Sequence, residues 1–152
     1  MEYMEGDNLQ EKIEKKGLAF ESSKKGEKKK IELIKNFLQQ ILKGVNYLHK
    51  LGIMHRDIKP SNIFISHDNH LKLGDFGISL FEKPTDYYGT LDYAAPEMIM
   101  HLDYEKSVDL WAIGCVAYQM YTGKAPFFHE DEDITRRNLM GVKYEASLVF
   151  HK

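Results

Sequence analysis

Within eight positions the chain carries His55, Arg56, Asp57, Lys59 and Asn62, immediately before the apolar run Ile63-Phe64-Ile65. Asp57 and Lys59 are two residues apart, so an extended loop points both toward one side and pairs a proton acceptor with a cation. Asp75-Phe76-Gly77 follows eighteen residues after Asp57. Between Asn62 and Asp75 lie two β-type runs, Ile63–Ile65 and Leu71–Leu73, joined by the polar stretch 66–70. That pattern predicts a hairpin. Antiparallel pairing would carry Asn62 and Asp75 to the same end, where an amide oxygen and a carboxylate make a hard-ligand pair suited to Mg²⁺. An isolated Asp-Phe-Gly is most often only a turn. Its register with the preceding polar loop is what gives it weight.

The elements that must position these residues are also legible. Ile34, Phe37, Leu38, Ile41, Leu42, Val45 and Leu48 recur at steps of three and four, predicting a helix over about 31–50 ended by Gly52. A second helix is predicted from Ser107 as N-cap to Gly123 as C-cap, apolar on nearly every face and therefore central and buried. Residues 10–30 hold eight Lys and four Glu, a local charge of +4 in a chain of net charge −2, leaving −6 for the remainder. The Lys-rich part, about 21–30, reads as a solvated surface insert. A near-neutral chain of 152 residues with one cysteine excludes a whole-protein nucleic-acid binder, a disulfide scaffold and a cysteine-rich zinc module. The acidic start and the lack of a long apolar run predict no signal peptide, no membrane span and an intracellular setting, cytoplasmic or nuclear.

Taken in order, these motifs resemble the C-terminal lobe of a eukaryotic protein kinase. His55-Arg56-Asp57 with Asn62 matches the catalytic loop, Asp75-Phe76-Gly77 the metal-binding motif, and Ala95-Pro96-Glu97 the end of the activation segment. Asp109-Leu110-Trp111 with Gly114, and Gly123-Lys124-Ala125-Pro126-Phe127, extend the match. Met1-Glu2-Tyr3-Met4-Glu5-Gly6 resembles the hinge between the two lobes. The resemblance implies a kinase-like α+β fold: a mostly helical C-lobe with a small β-hairpin at the catalytic cleft. Residues 1–152 form one partial kinase domain, with catalytic loop 55–62 and activation segment 75–97. The implied N-lobe, with its glycine-rich loop and lysine, is not matched.

The resemblance assigns roles. Asp57 accepts or orients the substrate hydroxyl proton, Lys59 stabilises the transferring phosphate, and Asn62 and Asp75 hold Mg²⁺. Glu2 and Met4 offer hinge hydrogen bonds to the adenine of ATP, above an apolar floor of Phe64 or Leu9. Lys59 with Thr90 is the serine/threonine pattern, so the implied substrate is a protein with a Ser or Thr acceptor, and Ile78 points toward threonine. Arg56 is implied to grip a negative group on the activation segment, either Asp86 itself or a phosphorylated Thr85. Gly89-Thr90-Leu91-Asp92-Tyr93 resembles Aurora-like kinases and Asp75-Phe76-Gly77-Ile78-Ser79 the MAP kinase kinases, so the subfamily stays open, as does oligomeric state.

Other conspicuous residues have plain readings. His55 is expected to be a packed core histidine, Cys115 an inert small hydrophobe, and Glu130-Asp131-Glu132-Asp133 a solvated loop whose sign could also steer basic substrates. Residues 138–144 resemble the helix after the central one. The expectation is a fragment of a serine/threonine kinase that is poorly stable and inactive alone; the alternatives are a pseudokinase-like binding or scaffold module and a nonfunctional truncated product.

Overall fold

A computed structural model describes residues 7–16, 24–76 and 89–143. Helix α1 spans Leu9–Lys16 and α2 Lys24–Lys50; strands β1 (Ile63–Ile65) and β2 (Leu71–Leu73) follow, then helices α3 (Pro96–Ile99), α4 (Ser107–Thr122) and α5 (Glu132–Met140). Short 3₁₀ turns cover Pro60–Asn62 and Leu91–Tyr93. Among the described residues the fold is the expected mostly helical α+β arrangement with one small antiparallel sheet.

Helix α2 is the main wall. Ile34, Phe37, Ile41 and Val45 are buried on one stripe, while Leu42 at its edge is exposed. The helix stops as predicted: Gly52 takes φ 83°, its N–H reaches the His49 carbonyl at 3.2 Å, and Ile53 N–H reaches Leu48 at 3.0 Å. This paired ending satisfies carbonyls that the last turn would otherwise leave bare. The other end of α2 differs from the sequence expectation. Residues 24–30 are helical, not a loop, so α2 begins a full seven residues early. Lys and Glu are good helix formers, and tertiary contacts fix the extension. The Lys30 ammonium donates to the Tyr121 carbonyl at 2.7 Å and lies 5.1 Å from the Tyr121 ring centroid. Tyr121 in turn donates its hydroxyl to Glu27 at 3.1 Å.

The core joins α1, α2, the hairpin and α4 around Leu9, Phe37, Ile41, Ile58, Ile63, Val116 and Met120. Helix α4 ends at Gly123 as expected, with φ 90°, but Lys106, not Ser107, precedes its first turn, and no side chain caps it. Nor is α4 buried all round: Leu110 and Gly114, one turn apart, are exposed. The acidic run 130–133 is no free loop. Asp131 caps α5 by accepting the Asp133 N–H at 2.9 Å, and Glu132 and Asp133 fill its first turn, where the helix dipole favours negative charge. The helix therefore starts before the predicted 138–144. No helix among the described residues is long and apolar enough to cross a membrane.

Candidate active site

The catalytic-loop segment is strained and must be held. Arg56 has φ 69°, a left-handed conformation that costs a non-glycine residue free energy unless its surroundings impose it. The restraint comes from Asp109 in the first turn of α4, whose carboxylate is 1% exposed. Its Oδ1 accepts the Arg56 N–H at 2.9 Å; its Oδ2 accepts the His55 N–H at 3.0 Å and lies 2.7 Å from His49 Nε2. A buried carboxylate so paired is a fixed clamp rather than an unpaid charge. His55 is fully buried, with Nε2 3.0 Å from the Gly74 carbonyl and its ring 5.0 Å from that of Phe76. It ties the catalytic loop to the residues that follow β2.

On this support sits a closed knot of hydrogen bonds around Asp57. The Lys59 ammonium is 2.9 Å from Asp57 Oδ2 and donates to Thr90 Oγ1 at 2.7 Å. Thr90 gives its backbone N–H to Asp57 Oδ1 at 3.1 Å and its hydroxyl to the same oxygen at 3.0 Å. Asn62 Nδ2 donates to the Asp57 carbonyl at 2.9 Å and to Oδ2 at 3.0 Å. The approach of residue 89 to the loop requires glycine. A Cβ there would lie 2.8 Å from the Arg56 carbonyl oxygen, and Gly89 has φ 118°, which L side chains avoid.

The hairpin brings the other predicted residues to this place. Ile63 pairs with Leu73, and Gly74 N–H bonds the Asn62 carbonyl at 2.9 Å. Asp75, one residue on, therefore leaves the sheet beside Asn62. It is exposed and has φ 55°. Asn62 spends its amide N–H groups on Asp57, and among the described residues its side-chain oxygen neither accepts a hydrogen bond nor is sealed from solvent. An open amide oxygen next to an exposed carboxylate is a donor set that fits Mg²⁺. Of the two candidate floor residues, Leu9 is fully buried in the core, so its side chain is committed to packing. Phe64 is half-buried, and a Cβ at Gly74 would come within 2.5 Å of its ring.

Glu2, Met4, Ile78, Thr85 and Asp86 lie outside the described residues. Arg56 is 8% exposed and donates from Nη1 to the Tyr104 hydroxyl at 3.2 Å. Sequence reasoning noted Asp109 only as part of a motif and missed its clamp. The available signal was an acid inside an otherwise apolar helix, since buried acids need partners. His49 and Tyr104 gave no such signal, because their roles depend on which distant element they face.

The chain matches the family model described as protein kinase domain over residues 1–149. It belongs to the protein kinase family. It is 40% identical over 111 residues to an Aurora kinase of Saccharomyces cerevisiae, covering 70% of this chain and 30% of that protein. It is 38% identical over 133 residues to the serine/threonine-protein kinase Nek3 of Mus musculus, covering 84% and 24%. With the mitogen-activated protein kinase HOG1 of Scheffersomyces stipitis the identity is 43% over 103 residues, covering 66% and 27%. The kinase chain thus spans less than a third of the length of these relatives. Similar identities to three differently named groups place the likeness at the level of the family, whose members use ATP, typically with Mg²⁺.

Proposed function

We propose that this kinase chain carries the transfer side of an ATP-dependent site that phosphorylates serine or threonine in protein substrates. The observation that carries the reading is the Lys59–Thr90–Asp57 knot, which supplies a carboxylate, a cation and an orienting hydroxyl within hydrogen-bond distance of one another. In the transfer, the acceptor oxygen bonds the γ-phosphorus, the bond to the ADP oxygen breaks, and the acceptor proton passes to Asp57. A carboxylate offers about four lone-pair positions, and Lys59, Asn62 and the two Thr90 donors occupy them here. The incoming hydroxyl accordingly displaces one of the three neutral donors rather than the Lys59 ammonium, and the one that can rotate away without moving the backbone or Asn62 is Thr90 Oγ1. Thr90 keeps its bond from Lys59 and its backbone N–H on Asp57, so the carboxylate stays oriented. Lys59 faces the charge that develops on the transferring phosphoryl oxygens. Asn62 and Asp75 would hold Mg²⁺, which supplies neutralising charge on the phosphates. Phe64 supplies the apolar floor for adenine, and Arg56 a cation for a negative group on the segment that includes Thr85 and Asp86.

The test is Asp57→Asn in the full-length native protein, with Mg²⁺-ATP and a Ser/Thr peptide. The expected loss in kcat is roughly 10²- to 10⁴-fold, with the KM for ATP little changed. A variant within a few-fold of the wild-type rate would overturn the assignment.

A further inference from the structure

A second polar array, half-buried and open to solvent at its Glu14 end, meets the site at one point, where the Tyr93 N–H donates to the Thr90 carbonyl at 3.1 Å. Gln119, on α4, is 5% exposed yet uses both ends of its amide on different elements. Tyr93, in the 3₁₀ turn three residues after Thr90, donates its hydroxyl to Gln119 Oε1 at 2.6 Å. Gln119 Nε2 donates to Gln10 Oε1 at 3.1 Å, and Gln10 Nε2, on α1, donates to the Glu14 carboxylate. The direction of this chain is forced from one end. An ionised carboxylate only accepts, so Gln10 must turn its NH₂ to Glu14 and its oxygen to Gln119; Gln119 must then present its own oxygen to Tyr93. Burial pushes the Tyr93 phenol well above its ordinary value, which keeps it a donor. Such a one-way chain is cooperative, and at its buried end a polar group of Gln119 left bare is costly.

We infer that the Glu14–Gln10–Gln119–Tyr93 chain is a positioning device that sets the Leu91–Tyr93 turn, and through it Thr90, against Asp57. This deepens the reading of Thr90 as an acceptor-side residue and rests on it. The chain links α1 to the acceptor side through the central helix, and Gln119 is its relay, because its amide accepts from Tyr93 with one end and donates to Gln10 with the other. Glu at 119 keeps the first bond and sets two acceptors face to face at the second.

The experiment is amide hydrogen exchange on the full-length native protein with Tyr93→Phe, Gln119→Glu and Gln119→Glu combined with Gln10→Lys, which restores a donor between the two carboxylates. Tyr93→Phe and Gln119→Glu are expected to speed exchange at Thr90 and Ala94 roughly tenfold, about one hydrogen bond's worth, while α2 amides stay protected. The double variant is expected to recover most of the protection. Unchanged exchange at Thr90, equal loss across α2, or no rescue would overturn the inference. In the full-length protein the same single variants raise the KM for the acceptor peptide several-fold and leave that for ATP unchanged. Exchange effects without the peptide effect would keep the positioning chain and instead overturn the acceptor-side role of Thr90.

Discussion

Replacing Asp109 by Asn removes one charge and almost no volume, so its effect isolates the clamp on the catalytic loop. The wild-type carboxylate accepts from Arg56 N–H on one oxygen and from His55 N–H and His49 on the other. An amide has one acceptor, and the less costly orientation keeps oxygen at the two-partner position. The NH₂ then meets the Arg56 N–H, donor against donor. The lost bond to a charged group is worth about 1.5–3 kcal/mol, and a buried donor left bare costs about 1–3 kcal/mol. The sum, about 2.5–6 kcal/mol, is a large part of a domain's total of about 5–15 kcal/mol. Urea unfolding gives the stability, and hydrogen exchange gives the site: Arg56 should lose far more protection than His55. A stability change below about 1 kcal/mol with Arg56 still protected would refute the claim that Asp109 holds the strained φ of 69°.

Other outcomes follow from the same geometry. Gly89→Ala places a methyl group 2.8 Å from the Arg56 carbonyl oxygen at a φ of 118°; a loss of about 1–3 kcal/mol is expected, with faster Thr90 exchange, and an unchanged melting temperature would contradict it. Lys30→Met keeps the stem but removes the amine from Tyr121, and should lower stability by about 1 kcal/mol. Circular dichroism would register fraying confined to the first turns of α2. Burial pushes the Cys115 thiol up from about 9 to about 12. Its alkylation at pH 8 should be at least roughly a hundredfold slower than in urea, and rapid native labelling would show α4 to be open. Because the raised value favours the protonated form, the contribution of Cys115 to stability is complete below about pH 9 and fades as pH rises toward 12. Tyr93, also raised by burial, acts in the same direction on the alkaline side.

Much of the architecture could be read along the chain, where signals are local. The hairpin of 63–65 and 71–73, the stripe on α2 and the Gly52 and Gly123 endings follow from periodicity and from the freedom of glycine to take positive φ. The errors share one cause. The charged residues 24–30 and 130–133 are polar enough to read as loops, but one gains a partner ninety-one residues away in Tyr121 and the other caps a helix. The apolar residue Leu110 reads as buried, yet lies exposed. Composition reports what a side chain prefers, not what faces it.

The sequence by itself determined the family and the chemical vocabulary: a carboxylate and a cation two residues apart, and an amide and a carboxylate brought to one end of a hairpin. These depend on residue type and short spacing. Tertiary structure alone decided how the vocabulary is held in place. Asp109 reaches back fifty-three residues to the Arg56 amide, Thr90 closes on Asp57 from thirty-three residues away, and Gln119 reaches Gln10 across one hundred and nine. Such bonds exist only because packing of α2 against α4 and the hairpin brings those atoms together, and burial then makes each unpaired group too costly to leave open.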